Sequence, residues 1–226
     1  MDFDKFFQQY EELVKQVELA FEKIKAEYDT CVKCKVGCSD CCHALFDLTL
    51  IEALYIKSKF DTAFEDQARE ILLEKANRAD RDIHKIKRKA HKEHAEGRSE
   101  QEILEEMSEK RVRCPLLNEQ EQCDMYDHRP ITCRIYGIPT QIGDKAHCCR
   151  LSGFEPGKSY PTVKIDQIHQ RLYQISFSLA QEIRSRYPQL AELLVPVSMA
   201  LLTDYTEEYL GVRTDPPAEA SGVAES

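Results

Sequence analysis

The placement of its cysteines constrains this chain more than any other feature of the sequence. The segment CVKCKVGCSDCC, residues 31–42, holds five cysteines in twelve positions, and the other five lie between residues 114 and 149. Cysteines that only filled a core would be scattered among apolar stripes, but these gather in loops and turns. Residues 41–42 and 148–149 are adjacent pairs, and a disulfide between neighbours would strain the chain. Clustered thiolates select zinc, copper(I) or iron–sulfur, so the pattern favours metal binding over redox disulfides or inert thiols.

Charge and hydropathy exclude several classes of protein. The formal net charge of -9 argues against general nucleic-acid binding, which needs an excess of Lys and Arg. The N-terminus MDFDKFFQQYEELVKQ lacks the basic and apolar regions of a signal peptide. No run of about 18–20 apolar residues predicts a membrane span. We therefore expect a cytoplasmic protein without membrane association, whose thiols stay reduced.

Apolar residues recur at gaps of three and four over residues 3–28, which predicts a first helix with one buried face. The stripe consists of Phe3, Phe7, Tyr10, Val14, Val17, Phe21, Ile24 and Tyr28. After the cysteine loop, residues 47–60 predict a second helix, in which Thr49 and Glu52 have the spacing of a capping box.

Residues 61–112 are charge-rich and predict a helical hairpin inserted between the two cysteine blocks. Gly97 interrupts the pattern, and Ser99 with Glu102 gives a second capping box. The basic run 81–94 contains three histidines, but its lysines would repel a cation, so it predicts a solvated helix face. These charged helices offer a surface for a protein partner.

Turn signals dominate residues 113–150. RCPLL and QCDMY flank a polar turn and predict a short hairpin, and a second hairpin is expected around Pro139 to Gly143. Pro130 suits the first turn of a short helix that carries Cys133.

The last third of the chain is helical in pattern. One stripe, stopped by Pro188, consists of Ile168, Leu172, Ile175, Leu179 and Ile183, and a further helix is expected from Pro196 to Gly211. The predicted fold is therefore mainly α, a single helical domain over residues 1–210 around a cysteine-rich metal-binding core with one or two short β-hairpins. Residues 211–226 are expected to form a disordered tail.

The segments CKVGCSDCCHALFDLTLIEA, RCPLL and QCDMYDHRPITCRIYG resemble the YkgJ-type cysteine cluster proteins, a zinc- or iron-chelating CxxCxxCC family. The matching residues are Cys38, Cys41, Cys42, Cys114–Pro115, Cys123 with Tyr126, Arg129–Pro130 and Cys133–Arg134. Cys34 departs from the pattern, because it precedes Cys38 by four residues rather than three. The resemblance implies a mostly helical, cytosolic protein that binds a metal or a cluster, without implying a defined reaction.

Eight cysteines are candidate metal ligands, and they could hold two zinc ions, a pair of ions that share ligands, or a [4Fe–4S] cluster with a second site. They are Cys34, Cys38, Cys41, Cys42, Cys114, Cys123, Cys133 and Cys148, with Cys149 as the alternative to the last. His43 or His147 could replace one thiolate. Four thiolates around Zn²⁺ or a [4Fe–4S]²⁺ cluster leave a charge of about -2. We expect Arg113 and Arg134 to donate hydrogen bonds to sulfur or to a neighbouring carboxylate, the alternative being solvated side chains or pairs with nearby aspartates.

Three functions fit these residues. Zinc or an iron–sulfur cluster could hold the loops together. An iron–sulfur centre could instead serve an oxidoreductase or electron carrier, although no dinucleotide fingerprint, P-loop or HExxH motif accompanies it. The third function is a metal donor or sensor with exchangeable thiols.

Overall fold

Seven α-helices and five short strands form the fold of residues 1–213, which are the residues that this computed structural model describes. The helices are α1 Asp4–Glu27, α2 Leu50–Ala63, α3 Asp66–Ala95, α4 Glu100–Glu109, α5 Ile131–Ile135, α6 Ile165–Glu182 and α7 Val197–Leu202. The strands are β1 Asp47–Thr49, β2 Thr140–Ile142, β3 Lys145–His147, β4 Val163–Lys164 and β5 Leu194–Pro196. The predicted mainly α fold is confirmed.

The predicted apolar stripe forms one face of α1, but the residues that are most buried differ in part from those predicted. Tyr10, Val14, Val17 and Ile24 are buried as expected, and Phe6 and Leu13 join them. The predicted residues Phe3, Phe7, Phe21 and Tyr28 pack against the edge of the same core. The face is therefore broader than a strict heptad stripe.

Helix α2 lies at the centre of the fold. It buries every residue from Leu50 to Lys57, because α1, α6 and α7 all pack against it. Its N-terminus has the predicted capping box of Thr49 and Glu52. The strand β1 leads into α2 and pairs antiparallel with β5, with Thr49 opposite Leu194.

The charged region forms the long helix α3 and the shorter α4, joined at Gly97, whose φ is 96°. Ser99 caps α4 by accepting a hydrogen bond from the Glu102 N–H at 3.3 Å. Helix α3 also packs on α7 and contributes Leu72 and Ala76 to a second apolar cluster. One side of α3 is thus part of the core.

Residues 113–150 contain short, turn-rich elements close to those expected. The first predicted hairpin is present as an antiparallel bridge between Leu117 and Cys123. The second pairs β2 with β3, and β4 adds a parallel strand on the other side of β2. Pro130 is the N-cap of α5, which carries Cys133.

The C-terminal third departs from expectation in its last helix. Helix α6 confirms the stripe from Ile168 to Leu179, and Ile183 lies just after the helix at the edge of the core. Helix α7 ends at Leu202, so the helix expected to reach Gly211 is wrong over its second half. Thr203 takes an extended conformation there, and its N–H and its hydroxyl both donate to the Met199 carbonyl, at 3.0 and 2.8 Å, which closes the last turn. Within the predicted tail, Val212 pairs with Ser185; residues 214–226 lie outside the described part of the chain.

Candidate metal centre

Five thiols, here called the pocket thiols, line one cavity of about 50 Å³. They are Cys41, Cys42, Cys114, Cys123 and Cys133. Three separate segments supply them: a short 3₁₀ helix at Asp40–His43, the turn around residues 114–124, and α5. A cavity of this size has room for a few water-sized groups.

Backbone hydrogen bonds join these segments directly. The Cys114 N–H donates to the Cys42 carbonyl at 2.7 Å, and the Val112 N–H donates to the His43 carbonyl at 3.0 Å. The Asp124 N–H closes the turn by donating to the Leu116 carbonyl at 2.8 Å. The first cysteine block and the second are therefore held side by side by the main chain.

A buried carboxylate positions the third segment. One oxygen of Glu52 accepts the Ile131 N–H at the start of α5, at 3.2 Å. The other accepts the Thr49 N–H at 3.2 Å and the Thr49 hydroxyl at 3.1 Å. Glu52 thus caps α2 and also fixes α5, which carries Cys133. The capping-box spacing revealed the first role but gave no signal for the second.

The pocket thiols influence one another's protonation. The neighbouring thiols of Cys133 and Cys42 lower the pKa of Cys41, and the nearby Arg129 acts in the same direction. The same proximity raises the pKa values of Cys42 and Cys133. Burial raises the pKa of Cys114 to about 12. One thiolate supported by protonated neighbours is therefore the favoured state of the metal-free pocket.

The donor chemistry of the pocket fits a thiophilic metal, since all five groups are sulfur. Within residues 1–213, however, no group of three or more His, Cys, Asp or Glu side chains is already placed so that it could hold a metal ion. The pocket thiols line a common cavity without converging on one point. Metal binding would require side-chain rotations that close the sulfurs around the ion.

A second group, the outer thiols Cys34, Cys38 and Cys149, lies together outside the pocket, and Cys149 contacts the buried Asp40. Burial and the neighbouring Cys38 and Cys149 raise the pKa of Cys34 to about 11. Cys149 donates its thiol to Asp40 at 3.5 Å, and Arg150 donates to the other oxygen at 3.0 Å. Burial acts to raise the pKa of Asp40, but these bonds and the charge of Arg111 outweigh it, so the pKa is lowered.

The eight predicted ligands therefore fall into different places. Five are the pocket thiols, and Cys34 and Cys38 belong to the outer thiols with Cys149. Cys148 is exposed immediately after β3, so the alternative ligand Cys149, rather than Cys148, is one of the outer thiols. His43 lies with its Nδ1 3.0 Å from the Ser39 carbonyl, and His147 is exposed on β3. All ten cysteines are free thiols.

The two predicted arginines bind carboxylates and carbonyls. Arg113, at the pocket wall, donates to Glu121 at 2.7 Å and to the Asn118 carbonyl at 2.7 Å. The buried Arg134 donates to Glu18 and to the carbonyls of Arg129 and Asp127. Its role is thus to tie α5 to α1.

Arg129 is the cation that the sequence analysis did not assign. It lines the cavity, lies 3.8 Å from the centre of the Tyr126 ring, and its charge acts on Cys41. Its position as the first residue of the Arg-Pro-x-x-Cys-Arg element could have indicated that it lies near the cysteines.

The chain is mainly α-helical with a cysteine-lined cavity, whose all-sulfur donors are those of thiol-rich metal-binding proteins. Residues 33–150 match the model of the CxxCxxCC family, described as a "putative zinc- or iron-chelating domain". Because the match covers more than half of the 226 residues, the chain belongs to this family, and the predicted family membership is confirmed. The searches of curated proteins and of solved structures found no match. None of the helices in residues 1–213 has both the length and the apolar character needed to cross a membrane.

Proposed function

We propose that this protein binds a single zinc or iron centre through the pocket thiols. The observation that carries the proposal is that five cysteines from three separate segments line one cavity. Four thiolates complete a tetrahedral zinc or iron shell, so the pocket offers one sulfur more than such a shell needs. Clustered thiols bind metal only when reduced, and we therefore place this activity in the cytoplasm.

The chain's own residues would favour deprotonation of the site. The neighbouring thiols and the charge of Arg129 lower the pKa of Cys41, so Cys41 is suited to be the first thiolate. The remaining ligands must lose their protons as they bind, so binding releases protons. Arg129 and Arg113 at the cavity wall offset part of the negative charge of a four-thiolate shell. The bound metal would cross-link the three segments and thereby add to the stability of the fold.

Anaerobic purification followed by metal analysis and a visible spectrum tests the proposal. A colourless protein with stoichiometric zinc supports a zinc site, and a brown protein with iron and acid-labile sulfide supports an iron–sulfur cluster. The double variant Cys123→Ser/Cys133→Ser leaves only three pocket thiols and should lose most of the metal, whereas Cys148→Ser, at an exposed thiol outside the pocket, should retain it. Equal metal contents in the two variants, or no metal after anaerobic reconstitution of the wild type, would overturn the proposal.

The spare sulfur favours a metal donor or sensor as the second candidate. A fifth thiol gives an incoming acceptor a route by ligand exchange, because one pocket thiol stays free when four are bound. Transfer to a competing chelator should then be faster in the wild type than in a variant that lacks the spare thiol but keeps its metal. If all single cysteine variants of the pocket lose the metal, the fifth thiol is a required ligand and the donor function is excluded.

A further inference from the structure

The outer surface of α3 carries a basic stripe, which consists of Arg81, His84, Lys85, Arg88, His91 and Lys92. All six side chains are exposed, and at 3.6 residues per turn they lie within about 120° of one another around the helix. Ala79 and Ile83, on the opposite side of α3, are buried. The stripe is therefore the solvent face of a helix that is anchored by its other side.

We propose that the basic stripe is a docking surface for an acidic helical segment of a partner protein. Within residues 1–213, Arg81 and Arg88 form no salt bridge, and Lys85 and Lys92 pair only with Asp82 and Glu96 of their own helical region. Those two pairs are exposed, and exposed pairs contribute little. The charges of the stripe are thus available to an external partner.

The like charges of the basic stripe lower the stability of α3, and a helix face that only contacts water does not need such a charge pattern. Arg81 and Lys85, and likewise Arg88 and Lys92, are four residues apart, a spacing at which like charges repel. The helix dipole favours cations only in the last turn of a helix. Helix α3 ends at Ala95, so the dipole does not account for Arg81 to Arg88. A complementary partner would offset this repulsion.

The surroundings of the stripe limit the kind of partner that fits. From Arg81 to Lys92 the stripe is about 16 Å long, and exposed Glu70 and Glu74 lie before it on the same face, with Glu96 after it. Residues 81–94 contain six Lys or Arg and two Asp or Glu, a net charge of +4. The whole chain carries a net charge of -9, so the rest of it carries -13. A long polyanion or an extended anionic surface would meet these acidic flanks, whereas a segment of three turns matches the stripe in length.

Fluorescence anisotropy with designed probes tests this inference. The first probe is a labelled 14-residue helical peptide with glutamates at i, i+4, i+7 and i+11, which places them on one face. Competing probes are a peptide of the same composition with the glutamates distributed around the helix, a single-stranded DNA oligonucleotide and phosphatidylserine vesicles. We expect the one-faced peptide to bind tightest, and more weakly as salt rises.

Charge reversal supplies the matched control. The variant R81E/K85E/R88E/K92E should weaken peptide binding about tenfold or more. The control K15E/K23E/K25E/K158E changes four exposed lysines elsewhere and alters the net charge equally, and it should bind like the wild type. Circular dichroism and metal content should be unchanged in both. Equal loss in the two variants, no binding by the wild type, or preference for DNA or vesicles would overturn the inference.

Discussion

Replacing Glu52 with glutamine tests whether one buried carboxylate holds the cysteine-bearing α5 against the centre of the fold. Glu52 is 5 % exposed, and its two oxygens accept three hydrogen bonds, from the Thr49 N–H, the Thr49 hydroxyl and the Ile131 N–H. Glutamine keeps the length of the side chain but has only one acceptor oxygen. The NH₂ group of the glutamine therefore points at one or two buried N–H or O–H donors, which lose their acceptor.

The expected loss of stability follows from these three bonds. A buried donor left without a partner costs about 1–3 kcal/mol, and either one or two donors lose their acceptor, depending on which way the amide is turned. We expect the amide to turn so that only the Ile131 N–H loses its acceptor, and Glu52→Gln should then lower the free energy of unfolding by about 1–3 kcal/mol. This is a large part of the roughly 5–15 kcal/mol that is typical of a folded domain.

Urea denaturation of the metal-free protein, followed by circular dichroism, measures this loss. Thr49→Ala is the matched control, because it removes the N-cap hydroxyl but leaves the bond to Ile131, and it should cost only about 1 kcal/mol. Glu52→Gln should also lower metal occupancy more than the control does, since α5 carries Cys133. A free energy of unfolding within about 0.5 kcal/mol of the wild type, the range of an ordinary surface change, would refute the reasoning.

Three further predictions concern pH, the outer thiols and Asp40. Burial raises the pKa of Glu52 from its ordinary 4.5 more than its hydrogen bonds lower it. The stability that Glu52 gains from this shift is therefore fully present below about pH 4.5 and is lost as pH rises through the folded-state pKa. Urea midpoints measured across this range should show the difference in stability between wild type and Glu52→Gln becoming smaller as pH rises. Gly137→Ala would bring its Cβ against the sulfur of Cys34, an exposed side chain that can rotate away, so it should cost no more than about 1 kcal/mol and increase the reactivity of that thiol; an unchanged rate of labelling by a thiol reagent would contradict this. Asp40→Asn should destabilise the protein by about 1–3 kcal/mol, more than Arg150→Gln, whose side chain is 65 % exposed; the reverse order in thermal denaturation would contradict this.

The sequence pattern predicted those features that depend on neighbours along the chain. The stripe of α6 and the capping box of α2 are local, because a helix brings residues three and four apart onto one face. The cysteine spacing and the Arg-Pro-x-x-Cys-Arg element likewise sufficed for the family. The length of α7 was missed, because the chain turns to an extended conformation at Thr203 and the periodicity of apolar residues does not contain that change.

The division of the cysteines was decided in space. Both members of the pair 148–149 have the same chemistry and nearly the same position in the sequence, yet only Cys149 donates to Asp40, more than 100 residues away. Arg129 lines the cavity while Arg134 is turned toward Glu18 on α1. Successive residues of a turn point in different directions, and only the packing of the distant segment shows which of them faces the site.

The amino-acid sequence alone was enough to predict that this chain is helical, belongs to a zinc- or iron-chelating family and gathers its thiols in two blocks. The packing of distant segments brings Cys41 and Cys42 together with Cys114, Cys123 and Cys133 in one cavity and leaves Cys34 and Cys38 with Cys149. The two kinds of information differ in the distance along the chain over which they act. Residue type and short spacing fix local conformation and donor chemistry, whereas the pairing of segments 70 or more residues apart depends on how α1, α2 and α5 pack around a common core.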